Sequence, residues 1–187
     1  MKAFKKLKKR VGFTLAETLI TVIIILMVSS LLGAGIPAAV QAYQKVVDAA
    51  NAQLLLSTTI TRLNEELGTA LWYKLDGGYL YYSNGNYNSR IATSSTDVAG
   101  IMIQHMKTDG SGPLKDKDGK DVPAHPLVTN EAATKKLHVE YESISYADGI
   151  FTIKNLQVKN GSRETIADTI GELQIRPVKV PSLLPEY

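Results

Sequence analysis

Chemistry has few places to start in this 187-residue chain. His105, His125 and His138 are its only histidines, the side chains best suited to move protons near neutrality. They lie far apart in sequence and lack ligand spacing such as His-x-x-x-His. His105 and His138 fall in strand-like stretches and read as ordinary sheet residues. Ser111 and Ser162 follow glycine, yet neither stands in Gly-x-Ser-x-Gly, and no strand–turn–helix elbow surrounds them. Asp116-Lys117-Asp118-Gly119, with Asp121 close behind, has part of the composition of a calcium loop. No spacing gives three ligands at alternate positions and a glutamate at the twelfth, and the interleaved lysines oppose a cation. Asp116, Asp118 and Asp121 are therefore weak metal candidates, and the better expectation is no metal. Cysteine is absent, which removes thiol nucleophiles, disulfides and Cys-based metal sites. With no phosphate loop and no dinucleotide fingerprint, neither a cofactor nor an enzyme is expected. One carboxylate does stand out. Glu17 has no charged neighbour on its C-terminal side until Lys45.

The elements around Glu17 explain why that is unusual. Lys2, Lys5, Lys6, Lys8, Lys9 and Arg10 precede it, and no acidic residue lies among them. Past residue 12 the remaining 15 cationic side chains face 18 carboxylates, so the net charge of +3 hides a mildly acidic body. Such a body argues against direct nucleic-acid binding, which needs clustered Lys and Arg. Leu19 to Ile36 carries no charge, and 18 helical residues span about 27 Å at ~1.5 Å each. Extended from Phe13 to Val40, the helix is long enough for a hydrocarbon core of ~30 Å. The hydroxyls of Thr18, Thr21, Ser29 and Ser30 can be satisfied on helix carbonyls. Cations on the N-terminal side predict a cytoplasmic N-terminus and an outward body. A secretory signal peptide with a cut near Val40-Gln41-Ala42 is a rival reading. It asks for an apolar region of ~7–15 residues, and this one is about twice that. A plain single-span anchor explains length and orientation but leaves Glu17 unexplained, since charge in a bilayer is costly.

A basic leader ending in Gly12, then Phe13-Thr14-Leu15-Ala16-Glu17 and a long apolar run, resembles the class III signal of type IV prepilins and type II secretion pseudopilins. Ala16 departs from the pattern, where family members more often carry a larger aliphatic residue. The resemblance covers about the first 55 residues. It implies that a membrane-embedded prepilin peptidase cuts between Gly12 and Phe13 and N-methylates Phe13. It also implies that Glu17 pairs with the N-terminal amine of a neighbouring subunit, an assembly and register role rather than a catalytic one. Glycine at the cut suits a narrow cleft, because the backbone enters it with no side chain in the way.

Downstream the pattern stays helical. Gly33, Gly35 and Pro37 mark a weak point: a gentle kink, the outer membrane boundary, or a stretch that melts in a filament. Leu56, Ile60, Leu63, Leu67 and Leu71 then recur at helical spacing, and Tyr43, Val47, Ala50 and Leu54 extend the stripe upstream. Asp76-Gly77-Gly78 is expected to stop the helix. From Tyr79 the period becomes two. Asn84-Gly85, Ala147-Asp148-Gly149 and Asn160-Gly161 read as turns, with strands at Tyr79–Tyr82, Asn86–Ile91, Gly100–Met106, Leu137–Tyr146, Phe151–Val158 and Leu173–Ile175. A bulge is expected between Tyr141 and Ile144, where the alternation slips by one residue. Pro177 and Pro181 are expected to end regular structure. Tyr73, Tyr79, Tyr81, Tyr82 and Tyr87 read as strand formers, and the alternative is one aromatic patch for a sugar or a neighbouring subunit. Asn160-Gly161-Ser162 is formally a glycosylation sequon on a turn.

The expected fold class is α+β and pilin-like: one long N-terminal helix packed on a small antiparallel head of four to six strands. Its expected parts are a leader at 1–12, a membrane and filament-core helix at 13–40, an amphipathic half at 41–75, and a head at 76–187 with a polar loop at 108–126. The expected function is a pilin-like or pseudopilin subunit of a type IV pilus or secretion filament. Its partners would be the prepilin peptidase, other pilin-like subunits, the cytoplasmic membrane and, indirectly, an assembly ATPase and inner-membrane platform. It would be a single-pass membrane protein first and part of a cell-surface or periplasmic filament later. The alternative is a membrane-anchored surface module that binds a ligand or hydrolyses it without polymerising.

Overall fold

A computed structural model of the chain describes residues 14–92, 100–107, 112–128, 137–169 and 171–183. Gly12, Phe13 and Ser111 lie outside the described residues. The chain divides into two compact units, Met1–Val46 and Val47–Tyr187. Helix α1, Leu15–Gly68, begins in the first and ends in the second.

In the first unit every described residue is exposed, including Leu19, Ile24, Leu26, Leu31 and Ile36. Its best 18-residue window has a mean hydropathy of 2.6, so α1 is long and apolar enough to span a membrane. Apolar surface on this scale is stable only against lipid or other apolar helices. Thr18 and Thr21 donate their hydroxyls to the carbonyls of Leu15 (2.9 Å) and Glu17 (2.7 Å), which satisfies both inside an apolar segment. α1 remains helical through Pro37. That residue has no N–H, so the Gly33 carbonyl one turn earlier loses its usual donor.

In the second unit α1 turns one face to a core. Ala52, Leu55, Leu56, Thr59, Leu63 and Leu67 are buried. This face corrects the expected stripe: Tyr43, Ala50, Leu54 and Leu71 are exposed, and Ile60 is only half-buried. Leu54, Leu55 and Leu56 cannot share one face at ~100° per residue, and the buried pair is the one in phase with Ala52, Thr59 and Leu63. The helix also ends earlier than residue 75. It stops at Gly68, whose carbonyl accepts the Val178 N–H (2.9 Å), and residues 72–76 are already strand.

Six strands form the larger sheet: β1 (Trp72–Asp76), β2 (Tyr79–Ser83), β3 (Asn88–Ala92), β4 (Met102–Met106), β5 (His125–Pro126) and β12 (Ser182–Leu183). Their order is β12-β1-β2-β3-β4-β5, antiparallel throughout except for the parallel pair β1 and β12. Asp76-Gly77-Gly78 therefore does not stop the helix. It closes the β1–β2 hairpin, where Asp76 faces Tyr79 and both glycines have positive φ (56° and 81°), as a two-residue turn of this hand requires. The Asn84-Gly85 turn is longer than expected. Ser83 pairs with Asn88, and the Asn84 side-chain oxygen accepts the N–H groups of Asn86 and Tyr87, each at 3.1 Å. The chain does not end its regular structure at Pro181 either. Ser182 donates its N–H to the Leu71 carbonyl (3.1 Å) and starts β12 beside β1.

The remaining strands are β6 (His138–Glu140), β7 (Ser143–Ala147), β8 (Ile150–Lys154), β9 (Gln157–Lys159), β10 (Thr165–Asp168) and β11 (Glu172–Ile175). They make two three-stranded sheets, β10-β9-β6 and β11-β8-β7. Register reveals one long hairpin shared between them. His138↔Lys159 and Glu140↔Gln157 continue without slip into Ser143↔Lys154 and Ala147↔Ile150. The slip of alternation between Tyr141 and Ile144 is thus not a one-sided bulge. Tyr141-Glu142 faces Asn155-Leu156, both strands change face together, and Asn155 takes φ 51° to allow it. Buried positions change parity on both: Val139 and Tyr141 then Ile144 on one strand, Phe151 and Ile153 then Leu156 and Val158 on the other. These residues join Leu80, Tyr82, Ile91 and Ile103 of the larger sheet and the buried face of α1 in one core. The protein is α+β, a long N-terminal helix packed on antiparallel-rich sheets.

Candidate functional site

The structure builds two polar arrangements worth chemical attention, one in each unit. The first is the start of α1. Thr14 precedes the helix, and Glu17 stands at its third position. The Glu17 N–H donates to Thr14 Oγ1 (3.3 Å), while Thr14 N–H and Thr14 Oγ1 both donate to Glu17 Oε2 (2.9 and 3.0 Å). This reciprocal capping box satisfies donors that a helix start leaves orphaned. It also places the carboxylate at the positive end of the helix dipole. Thr14-Leu15-Ala16-Glu17 carries the box's Thr-x-x-Glu signature in sequence, a second meaning of the same residues.

The second is a pair of hydrogen-bonded contacts, one linking α1 to β2 and one linking β3 to β4. Tyr82, fully buried on β2, donates its hydroxyl to Glu66 Oε2 (3.1 Å), which also accepts from Asn84 Nδ2 (3.3 Å). Ser89, buried on β3, holds its Oγ 3.1 Å from His105 Nδ1 on β4. When Nδ1 carries the proton, Ser89 Oγ accepts it and the lone pair of neutral His105 is on Nε2. Burial, then the Glu66 carboxylate, pushes the Tyr82 phenol well above its ordinary range. Burial lowers His105, the nearby His125 ring lowers it further, and Glu66 opposes both. Tyr87 and His125 flank the His105 ring at 4.9 and 5.0 Å between centroids.

His138 and Glu140 form a separate buried pair on β6, with His138 Nε2 3.0 Å from Glu140 Oε1 and Lys159 Nζ 2.6 Å from Glu140 Oε2. Burial pushes the Glu140 carboxyl up, but hydrogen bonds and charge from Lys159 and His138 outweigh it and hold the group below its ordinary value. Lys159 stands directly opposite His138 and diagonal to Glu140 across the β6–β9 ladder, which marks a structural ion pair.

The other sequence candidates are spread out. Asp116 Oδ1 is occupied by the N–H groups of Asp118 and Lys120 (2.9 Å each), so this carboxylate ties a turn. Among the described residues no group of three or more His, Asp or Glu side chains is placed to hold a metal. In the described part of the polar loop, Leu114 N–H bonds to His105 O and Val122 N–H to Leu114 O. Asn160 uses its side chain to close its own turn, accepting from Ser162 and Glu164 N–H. The tyrosines do not form one patch. Tyr82 is in the core, Tyr73 packs on Tyr146 and Phe151, Tyr79 lies under Arg90, and Tyr87 stands beside His105. Sequence spacing could not bring His105 and His125 together, because the link is the β4–β5 pairing Ile103↔His125.

The fold and the capped helix define a class: an α+β protein with, among the described residues, one membrane-length helix near its N-terminus. No protein-family model matches the chain, and no curated protein or solved structure matches it either.

Proposed function

We propose that the chain is a pilin-like structural subunit, cut after Gly12, methylated at Phe13 and assembled through its apolar helix into a type IV pilus or type II secretion-like filament. The observation that carries this reading is the joint occurrence of Gly12-Phe13 and Glu17 at the start of a 54-residue helix whose first unit is apolar and wholly exposed. Cutting removes six leader cations and creates an amine at Phe13, four positions before the capping carboxylate. In the assembled state Glu17 exchanges part of its cap for the amine of a neighbouring copy, an ion pair that sets register more than it adds stability. The leader charge keeps the N-terminus cytoplasmic and the second unit outside. Such a contact is head-to-tail and builds a filament rather than a closed ring.

N-terminal sequencing of the membrane-extracted chain tests the first step. A start at N-methyl-Phe13 supports the reading, and an intact Met1 or a start at Tyr43 overturns it. Glu17→Ala tests the second. Processing should survive while incorporation into sheared filaments drops at least tenfold, and unchanged incorporation removes the pairing role.

A further inference from the structure

The Ser89–His105 contact in the head lies at a pair of imidazoles that the filament reading does not use. His105 and His125 sit on neighbouring antiparallel strands, diagonal to each other across the Ile103↔His125 pair. Their ring centroids are 5.0 Å apart and the planes are tilted by 44°. That separation can be compared with what a shared ion demands. A metal–nitrogen bond of about 2.0–2.1 Å puts a ring centroid about 3.2 Å from the ion, so two imidazoles at ~90–110° have centroids about 4.5–5.2 Å apart. The observed spacing falls inside that range.

The contact with Ser89 is compatible with ligation. Ser89 Oγ engages His105 at Nδ1, so with the proton on that nitrogen the lone pair lies on Nε2. This is the arrangement in which a neighbouring acceptor orients a metal-ligating histidine. His125 is exposed, and neither of its ring nitrogens has a hydrogen bond among the described residues. We propose that His105 and His125 form a surface site for a borderline divalent cation of the zinc, copper or nickel class, with water in the remaining positions. Imidazole nitrogen suits these ions, whereas calcium and magnesium favour oxygen ligands. Two ligands open to solvent make an exchangeable site rather than one the fold needs.

The test is a zinc titration by calorimetry on the full chain in detergent, prepared without a histidine tag. One saturable zinc per chain is expected at micromolar to submillimolar concentration. His105→Ala and His125→Ala should each weaken it more than tenfold, whereas His138→Ala should leave it unchanged, since that ring is buried against Glu140. Ser89→Ala acts on position rather than ligation and should weaken binding several-fold while both imidazoles remain. Far-ultraviolet circular dichroism verifies folding, and His125 is exposed enough that its loss does not threaten the core. Failure of wild type to bind zinc saturably below millimolar concentration overturns the proposal, as does binding that survives His125→Ala. In either case the pair is only the outer end of the Tyr87–His105–His125 stack. Because nothing in this test depends on cleavage at Gly12, its failure leaves the filament reading intact.

Discussion

Leu54 and Leu63 offer a sharp test of how α1 meets the head, because helical spacing alone assigns both to one stripe. In the structure Leu63 is 0% exposed and Leu54 is 54% exposed. Leu63→Ala removes a fully enclosed side chain from the core that Leu80, Ile91 and Phe151 also build. A change of this kind costs about 2–5 kcal/mol, of which part is lost transfer energy and part the cavity left behind. Leu54→Ala gives up at most half of a side chain's burial and leaves no cavity, so its cost should stay below about 1 kcal/mol. The chain has a single tryptophan, Trp72, at the start of β1, which makes fluorescence a local reporter of the head. At a urea dependence of about 1–3 kcal/mol per molar, a loss of about 3 kcal/mol shifts the unfolding midpoint by about 1–3 M. The expected result is therefore a large shift for Leu63→Ala and a small one for Leu54→Ala. Equal shifts would refute the assigned face, and a larger effect at Leu54 would reverse it.

Two further outcomes follow from buried polar groups. The Tyr146 hydroxyl is enclosed and has no hydrogen-bond partner among the described residues, although its ring packs on Tyr73 and Phe151 at 4.1 and 4.6 Å. Tyr146→Phe keeps the ring and removes the orphan, so it should raise head stability by about 1 kcal/mol, measured by the same urea curves; a clear loss would show a partner at work. Glu140 is held below its ordinary pKa of 4.5 in the folded state. Its contribution is complete above that unfolded value and disappears as pH falls through the lower folded one, so stability should decline from about pH 4.5 downward. Glu140→Gln should flatten that acid-side decline relative to wild type, and an identical pH profile would show that the pair with Lys159 contributes nothing.

How far the sequence reaches depends on whether a feature is local. The hairpin turns at Asp148-Gly149, the six strand regions and the apolar span are written in adjacent residues and can be read directly. The change of face at Tyr141 is visible as a slip in alternation, but its cause needs the matching slip at Asn155-Leu156 on the partner strand. Asp76-Gly77-Gly78 misleads because the same glycines that break helices also make tight hairpins. The helix had already ended at Gly68, where a carbonyl is satisfied from Val178. Thr14-x-x-Glu17 can be found in sequence, and a capping signature is masked only by attention to the cleavage motif around it. The Glu66–Tyr82 and Ser89–His105 contacts are not legible. Each link crosses from one element to the next, and register sets the meeting points.

The parallel pairing of β12 on β1 has a bearing on the order of events in the life of each molecule. β1 follows α1 almost at once, yet Trp72 meets Ser182, about 110 residues later in synthesis. Closing a loop of that length costs about 4 kcal/mol of chain entropy, which local hairpins avoid. A growing chain can therefore build its β1–β2 and β7–β8 hairpins as they emerge, but the rim of the larger sheet stays open until β12 arrives. During that interval β1 presents unpaired backbone groups, the kind of edge on which a foreign strand can add. β12 is thus a latch, and this edge of the head becomes safe from mispairing only once Ser182 and Leu183 have been made.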